Sequence, residues 1–182
     1  MGVETMISQL KIAFGYQMRS GKDTAVEYLI RMYGGERLSF AEPLYKLMDM
    51  TQEFLGFEKK KDRLFLQLIG TEWGRSIDPN IWINQLVKKA NEATSHVFVS
   101  DLRYINEAEA LKANGFTIVK VVTDWENRKS RGAEENAIKH KSEIEMDNFT
   151  NWDYEIENNG TMAEFHKTVD VLVEVINSKK RS

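Results

Sequence analysis

The sequence predicts an α/β fold in three layers, a central parallel sheet of about five strands with helices on both faces. Three observations carry this expectation. Short β-forming runs alternate with longer segments whose apolar residues recur every three or four positions. The connections between the runs are too long for hairpins, so the strands that they join must be parallel. Finally, His96-Val97-Phe98-Val99-Ser100-Asp101 is a run of β-formers that closes on a carboxylate, the pattern of a central strand covered on both faces.

Each element has its own signal. Ile12-Ala13-Phe14 reads as the first strand, and Ala25, Val26, Leu29, Ile30 and Tyr33 leave the next loop at helical spacing, with Gly34-Gly35 as a stop. Arg37-Leu38-Ser39-Phe40 reads as a second strand. Pro43 suits the first turn of a helix bearing Leu44, Leu47, Met48, Thr51, Phe54 and Leu55, which Gly56 ends. Residues 64–73 are apolar at helical spacing and are followed by Gly74. Asp78-Pro79 then offers an N-cap and first turn for a helix with Ile83, Leu86, Val87 and Ala90 inward. After the strand at 96–101, residues 103–113 read as a helix stopped by Asn114-Gly115, and 116–122 as a strand. Residues 123–150 lose apolar periodicity and read as a polar helical excursion. Tyr154-Glu155-Ile156-Glu157 alternates like a half-exposed strand. Thr161 and Glu164 form a capping box for a closing helix whose buried face is Phe165, Val169, Leu172, Val173 and Ile176.

Composition narrows the class. A chain of 182 residues is long enough for one well-filled core and short for two, so residues 1–182 are expected to form one domain. No internal repeat, linker or low-complexity segment interrupts it. Hydrophobic residues make up 42% and charged residues 29%, a globular composition. No apolar run approaches a membrane span, and the first ten residues lack the basic cluster of a secretory signal. With no cysteine and three scattered histidines, disulfides and thiolate metal sites are excluded and a zinc site is disfavoured. The net charge of −3 and a pI near 5.7 argue against an extended nucleic-acid-binding face. The expectation is a cytoplasmic protein with a local anion pocket, lined by candidates among Arg19, Lys22, Arg75, Arg103, Arg128 and Arg131. A homodimer is compatible with the chain, and no residue pattern fixes the oligomeric state.

The stretch Phe14-Gly15-Tyr16-Gln17-Met18-Arg19-Ser20-Gly21-Lys22-Asp23-Thr24 reads as a phosphate-binding loop between strand and helix. Such a loop aims successive backbone N–H groups and a helix N-terminus at one point, while the Lys ammonium reaches the outer phosphates of a nucleotide. Two features depart from the usual pattern. Tyr16 stands where the first Gly is expected, with Gly15 one residue earlier, so a bulge or a different turn is expected there. Asp23 and then Thr24 follow the Lys, where most such loops place Ser or Thr at once to hold Mg²⁺. The Asp23 carboxylate and Thr24 hydroxyl are therefore expected near a metal. In parallel sheets ligands bind beyond the carboxyl ends of the strands. Gly15, Asp101 and the residues after Phe40 and Val122 all fall there.

These residues resemble the deoxynucleoside monophosphate kinases of bacteriophage type, within the P-loop nucleoside monophosphate kinase fold. The resemblance rests on Arg19-Ser20-Gly21-Lys22-Asp23-Thr24, Ser39-Phe40-Ala41-Glu42-Pro43-Leu44, Gln67-Leu68-Ile69-Gly70-Thr71-Glu72-Trp73-Gly74-Arg75, Asp101-Leu102-Arg103 and His140-Lys141-Ser142-Glu143. It implies transfer of the γ-phosphoryl of ATP to a deoxynucleoside monophosphate, with Mg²⁺ as cofactor, giving ADP and a deoxynucleoside diphosphate. The loop at 15–24, an acceptor-binding helical block at 41–95 and a lid at 125–150 would share the work. By this resemblance Lys22, Arg128 and Arg131 act on the transferred phosphoryl, and Gly15, Arg19, Ser20, Gly21, Lys22, Asp23 and Thr24 hold ATP. Phe40, Lys46, Gln67, Arg75, Asp78, Trp82, Asp101, Arg103 and Glu143 hold the acceptor, and Asp23, Thr24 and Asp101 the metal. Residue chemistry agrees in outline. Phosphoryl transfer asks for alignment and charge neutralisation, which Lys22, a metal and several arginines supply, and the attacking phosphate is already ionised, so no general base is needed. Bland readings stand beside these: Arg75 as a surface arginine, Asp101 as a helix N-cap, Trp82 as core. Dephosphocoenzyme A kinase and animal-type phosphomevalonate kinase share a similar loop, and only the 70–75 stretch favours a nucleotide acceptor. A nucleotide-binding regulator or ATPase is the reading outside kinases. Against it, Leu102-Arg103 follows Asp101 where many ATPases carry a catalytic Glu.

Overall fold

The structure is a computed structural model, and it describes residues 9–135 and 144–181. Five strands form one sheet: β1 (Lys11–Gly15), β2 (Glu36–Leu38), β3 (Val97–Leu102), β4 (Thr117–Val122) and β5 (Tyr154–Glu157). Their order is β2-β3-β1-β4-β5, and every pairing is parallel. The α/β class and the strand count are those read from the sequence.

Side chains of the central strands divide by parity, as the two-residue period of a strand requires. Ile12 and Phe14 enter one core cluster with Phe98, Val119 and Val121; Ala13 enters the other with Val97, Val99 and Ile118. The first cluster is closed by α1 (Lys22–Tyr33) through Ala25, Val26 and Leu29, and by the last helix, α8 (Met162–Arg181), through Phe165, Val169, Leu172, Val173 and Ile176. The second is closed by α5 (Ile81–Glu92) through Ile83, Leu86 and Ala90, and by α6 (Ile105–Ala113) through Ala108 and Leu111. Each large side chain buried from water in this way contributes about 1.5–3 kcal/mol. The Thr161/Glu164 box caps α8: Thr161 N–H donates to Glu164 Oε2 at 2.7 Å, and Glu164 N–H to Thr161 Oγ1 at 3.3 Å.

Between β2 and α5 lie α2 (Glu42–Leu55), α3 (Arg63–Gln67), a π-helical stretch (Leu68–Gly74) and the short α4 (Arg75–Ile77). Gly74 lies inside the wide π turn, where a Cβ would press into the Trp82 ring and approach Ile69 O at 2.8 Å. Two expectations change here. Helix α5 starts at Ile81, two residues after Pro79, because Asp78 spends its carboxylate on the turn, accepting from Asn80 N–H at 2.8 Å. The apolar stripe of α2 is mostly not core: Met48 and Gln52 are buried, whereas Phe54 is 88% exposed. Gln52 is buried because its amide accepts from Lys60 N–H and donates to Lys60 O, closing the following loop.

The polar excursion contains α7 (Trp125–Ser130) and a 3₁₀ turn (Glu145–Asn148). The lid expected at 125–150 therefore falls partly outside the described residues, as do His140, Lys141, Ser142 and Glu143. No described helix is long and apolar enough to cross a membrane.

Candidate active site

All five strands deliver their carboxyl ends to one side. β1 runs into the loop at 15–24, whose backbone is left-handed at Tyr16 (φ 88°), Arg19 (φ 59°) and Gly21 (φ 102°). The Tyr16 departure is thus a left-handed turn, preceded by a shift of the β1–β3 register between Ala13 and Gly15. A bulky residue at such a φ costs on the order of 1–3 kcal/mol, so the surroundings must hold it. Trp152 lies edge-on to the Tyr16 ring at 6.3 Å, and the Lys120 ammonium sits over it at 4.6 Å. Gly15 is needed for the same reason, since a Cβ there would meet the Trp152 ring at 2.9 Å.

The rest of the loop is clamped from strands far along the chain. Ser20 O accepts from Thr123 Oγ1 at 3.0 Å, just beyond β4, and from Asn158 Nδ2 at 2.8 Å, just beyond β5. Gly21 leaves room for that amide, which any Cβ would strike. Lys22 is 7% exposed and lies along the loop, its Nζ donating to Tyr16 O at 3.2 Å and to Gln17 O. The ammonium is thereby fixed along the loop at the start of α1, where the helix dipole favours an anion.

Three buried polar atoms in this region lack a hydrogen-bond partner among the described residues: Ser20 Oγ, Arg128 Nε and Arg131 Nη1. Leaving such a group unsatisfied costs about 1–3 kcal/mol. The three belong together. Arg131 Nη2 donates to Asn158 O at 3.1 Å, and Asn158 is the clamp on Ser20. Arg128, 8% exposed, lies one turn earlier with its guanidinium over the Trp125 ring at 5.2 Å. An anion with several acceptor oxygens at the loop would satisfy such donors, so these residues fit a nucleotide phosphate. Arg19 is exposed at the rim.

A cavity of about 770 Å³ continues from Met18 and Asp23 at the loop to the helical block. Phe40, Gln67, Arg75, Asp101 and Arg103 line it, as expected of acceptor residues. Three expected members do not. Trp82 is core, 4% exposed, its Nε1 donating to Gly70 O at 2.9 Å. Lys46 is on the surface, paired with Glu42 at 2.8 Å. Asp78 holds the turn before α5. Glu143 lies outside the described residues.

The metal set changes too. Asp101 is spent: it accepts from Ser39 Oγ at 2.7 Å, Ala41 N–H at 3.1 Å and Phe40 N–H at 3.3 Å, fixing the β2–α2 turn, and burial raises its carboxyl above the usual range. Asp23, exposed at the start of α1, accepts from Ser100 Oγ at 2.6 Å and faces Arg37 at 3.5 Å. A Mg²⁺ that keeps waters and takes one carboxylate plus substrate phosphates fits Asp23, with Thr24 next to it.

Sequence reasoning missed four contributors. Thr123 and Asn158 clamp the loop, Ser100 orients Asp23, and Glu107 holds Arg75 at 2.6 Å. Only Glu107 had a local signal, as the third helical residue reaching back to the backbone N–H of its own N-cap, Tyr104, at 3.1 Å.

Comparison with known proteins gives a relative 34% identical over 169 residues, spanning 89% of this chain and 69% of its own: "Uncharacterized protein ORF77" of Ictalurid herpesvirus 1 (strain Auburn). The chain belongs to the ORF77 family. A second relative of this ORF77 family member, from Acanthamoeba polyphaga mimivirus, is named "Putative deoxynucleotide monophosphate kinase". It is 28% identical over 181 residues, covering 82% of this chain and 89% of its own. No family model matches. Among solved structures, shikimate kinase from Aquifex aeolicus superposes with a TM-score of 0.57 at 15% identity, covering 95% of this chain and 99% of its own. Dephospho-CoA kinase from Campylobacter jejuni superposes with a TM-score of 0.55 at 15% identity, covering 93% and 98%. The ORF77 family member has the P-loop kinase fold.

Proposed function

We propose that the protein transfers the γ-phosphoryl of ATP to a deoxynucleoside 5′-monophosphate, giving ADP and a deoxynucleoside diphosphate. The observation that carries this reading is a set of buried donors without a hydrogen-bond partner among the described residues, Ser20 Oγ, Arg128 Nε and Arg131 Nη1, around the phosphate loop and beside an arginine-bearing cavity that opens from the same loop. One end suits a triphosphate, the other a second phosphorylated molecule. The name of the mimivirus relative points the same way. The narrower assignment to the bacteriophage type rests on the sequence motifs alone.

In this reading Lys22, Arg128 and Arg131 neutralise the phosphoryl in flight, and the loop N–H groups orient the donor; Asp23 and Thr24 would hold a Mg²⁺, which would supply further charge neutralisation. Arg75 and Arg103 receive the acceptor's phosphate, since a guanidinium fork matches phosphate oxygens. Phe40 and Gln67 form part of the remaining wall, against the acceptor's nucleoside. Residues 125–150 act as the lid.

The test is ADP release measured with and without each ribo- and deoxynucleoside monophosphate. Release that rises steeply with a deoxynucleoside monophosphate is expected. Equal release without acceptor would make the protein an ATPase instead. Arg75→Lys keeps the charge and loses the fork, so the acceptor KM should rise about tenfold while ATP affinity, measured by calorimetry, holds. A matched loss of ATP affinity would show that Arg75 does not belong to a separate acceptor site.

A further inference from the structure

Deep in the cavity wall, where a phosphate dianion is to be received, lies a carboxylate that repels it. Glu107, on the first turn of α6, is 1% exposed. Its Oε1 accepts from Arg75 Nη2 at 2.6 Å, and its Oε2 accepts from the backbone N–H of Arg103 at 2.9 Å and of Tyr104 at 3.1 Å. The Arg75 guanidinium lies over the Tyr104 ring at 4.1 Å, with Pro79 O at 3.5 Å from Nη1. A long side chain on the short α4 is thus fixed in place by two residues of another element. The charged and titratable groups facing Glu107 are Arg75, Asp101, Arg103 and Tyr104. Glu145 stands beside the same helix start, accepting from Ile105 N–H at 3.4 Å.

We propose that Glu107 is a positioning residue of the acceptor site: it holds the Arg75 fork on Tyr104 for the phosphate of a nucleoside monophosphate, and it takes up a proton as that phosphate arrives. This inference rests on the phosphotransfer reading above. Holding the fork in advance removes the ordering cost of a flexible side chain. The proton follows from charge. Burial, against the pull of Arg75 and the Arg103 N–H, raises the Glu107 pKa to about 7, so near neutral pH both forms are populated. A dianion brought to Arg75 adds a like charge beside the carboxylate and raises its pKa further. The bound protein therefore holds more protons than the free one. The phosphate's own second ionisation, near pH 6, shifts the opposite way beside arginines and would release a proton, so the sign separates the two.

The experiment titrates the full chain calorimetrically with each of the four common deoxynucleoside 5′-monophosphates, then repeats the tightest binder at pH 7 in two buffers of different ionisation enthalpy. Wild type should take up roughly 0.4 proton per site. Glu107→Gln keeps an oxygen for the Arg103 and Tyr104 N–H groups but lacks the titrating group, so uptake should vanish or reverse. Its acceptor KM should rise about tenfold and its ATP KM stay within about twofold. Should Glu107→Gln fail to fold, wild type at pH 9 serves: Glu107 is then ionised with or without the phosphate, and uptake should nearly vanish. Wild type that binds a monophosphate at pH 7 without proton uptake, or equal uptake in the variant or at pH 9, overturns the proposal while leaving the kinase reading standing. If none of the four monophosphates binds, the kinase reading itself falls.

Discussion

Lys22→Ala is expected to lower kcat by on the order of a thousandfold, the scale of groups that stabilise charge in phosphoryl transfer. The structure gives the reason. Lys22 is nearly buried, and the Tyr16 and Gln17 carbonyls hold its ammonium along the loop, so a fixed charge waits where the phosphates arrive. Its loss removes two hydrogen bonds within the loop, so thermal unfolding should shift modestly while the variant stays folded, and steady-state kinetics at saturating ATP and acceptor measure the loss. Near-normal turnover in a folded variant would remove the loop from the reaction.

The second large effect is expected of the double variant Arg128→Ala/Arg131→Ala. If both guanidinium groups meet the phosphoryl mainly in the transition state, kcat should fall by about a hundredfold or more while ATP affinity changes by less than about tenfold. A stability measurement adds an independent sign. Arg128 Nε and Arg131 Nη1 are buried without a hydrogen-bond partner among the described residues, and that desolvation offsets what Arg131 gains from Asn158 O and Arg128 from the Trp125 ring. The melting temperature should therefore change little. A clear drop in melting temperature with unchanged kcat would make both arginines structural props of the 123–133 segment. Amide exchange supplies the dynamic side. If the segment around α7 acts as the proposed lid, the amides of residues 125–135 and 144–150 should exchange fast in the free protein and slowly with a bisubstrate analogue joining the two nucleotides.

What could be read in the sequence was what local spacing encodes. Gly21-Lys22 after an apolar strand announces an anion-binding loop because the chemistry needs those residues side by side. The inward faces of α5 and α8 follow from a period of 3.6. Where burial is decided by a distant partner, local spacing misleads. Trp82 reads as an acceptor-binding residue until the glycine eight residues before it proves to be its slot, and its N–H is spoken for by Gly70 O. Phe54 keeps helical spacing with Leu47 and Met50 yet faces out, while Gln52 goes in to close a loop. Asp101 ends its strand at the place a metal ligand would occupy, but the β2–α2 turn takes both its oxygens. Ser100 and Asn158 carry no motif, since each acts on a residue reached only through the parallel sheet.

That last arrangement bears on how the protein comes into being. The loop at 15–24 leaves a ribosome before the strands that hold it, for Ser20 is gripped by Thr123 and Asn158, which emerge far later. At typical synthesis rates of about 5–20 residues per second, the loop spends several seconds outside without either clamp. During that interval Tyr16 and Arg19 lack the later-made contacts that hold the left-handed loop, and on the proposed reading the nascent chain does not yet bind a nucleotide. Nucleotide binding should thus switch on late and abruptly, when β5 docks. A ribosome-stalled series of lengthening chains would report that moment directly.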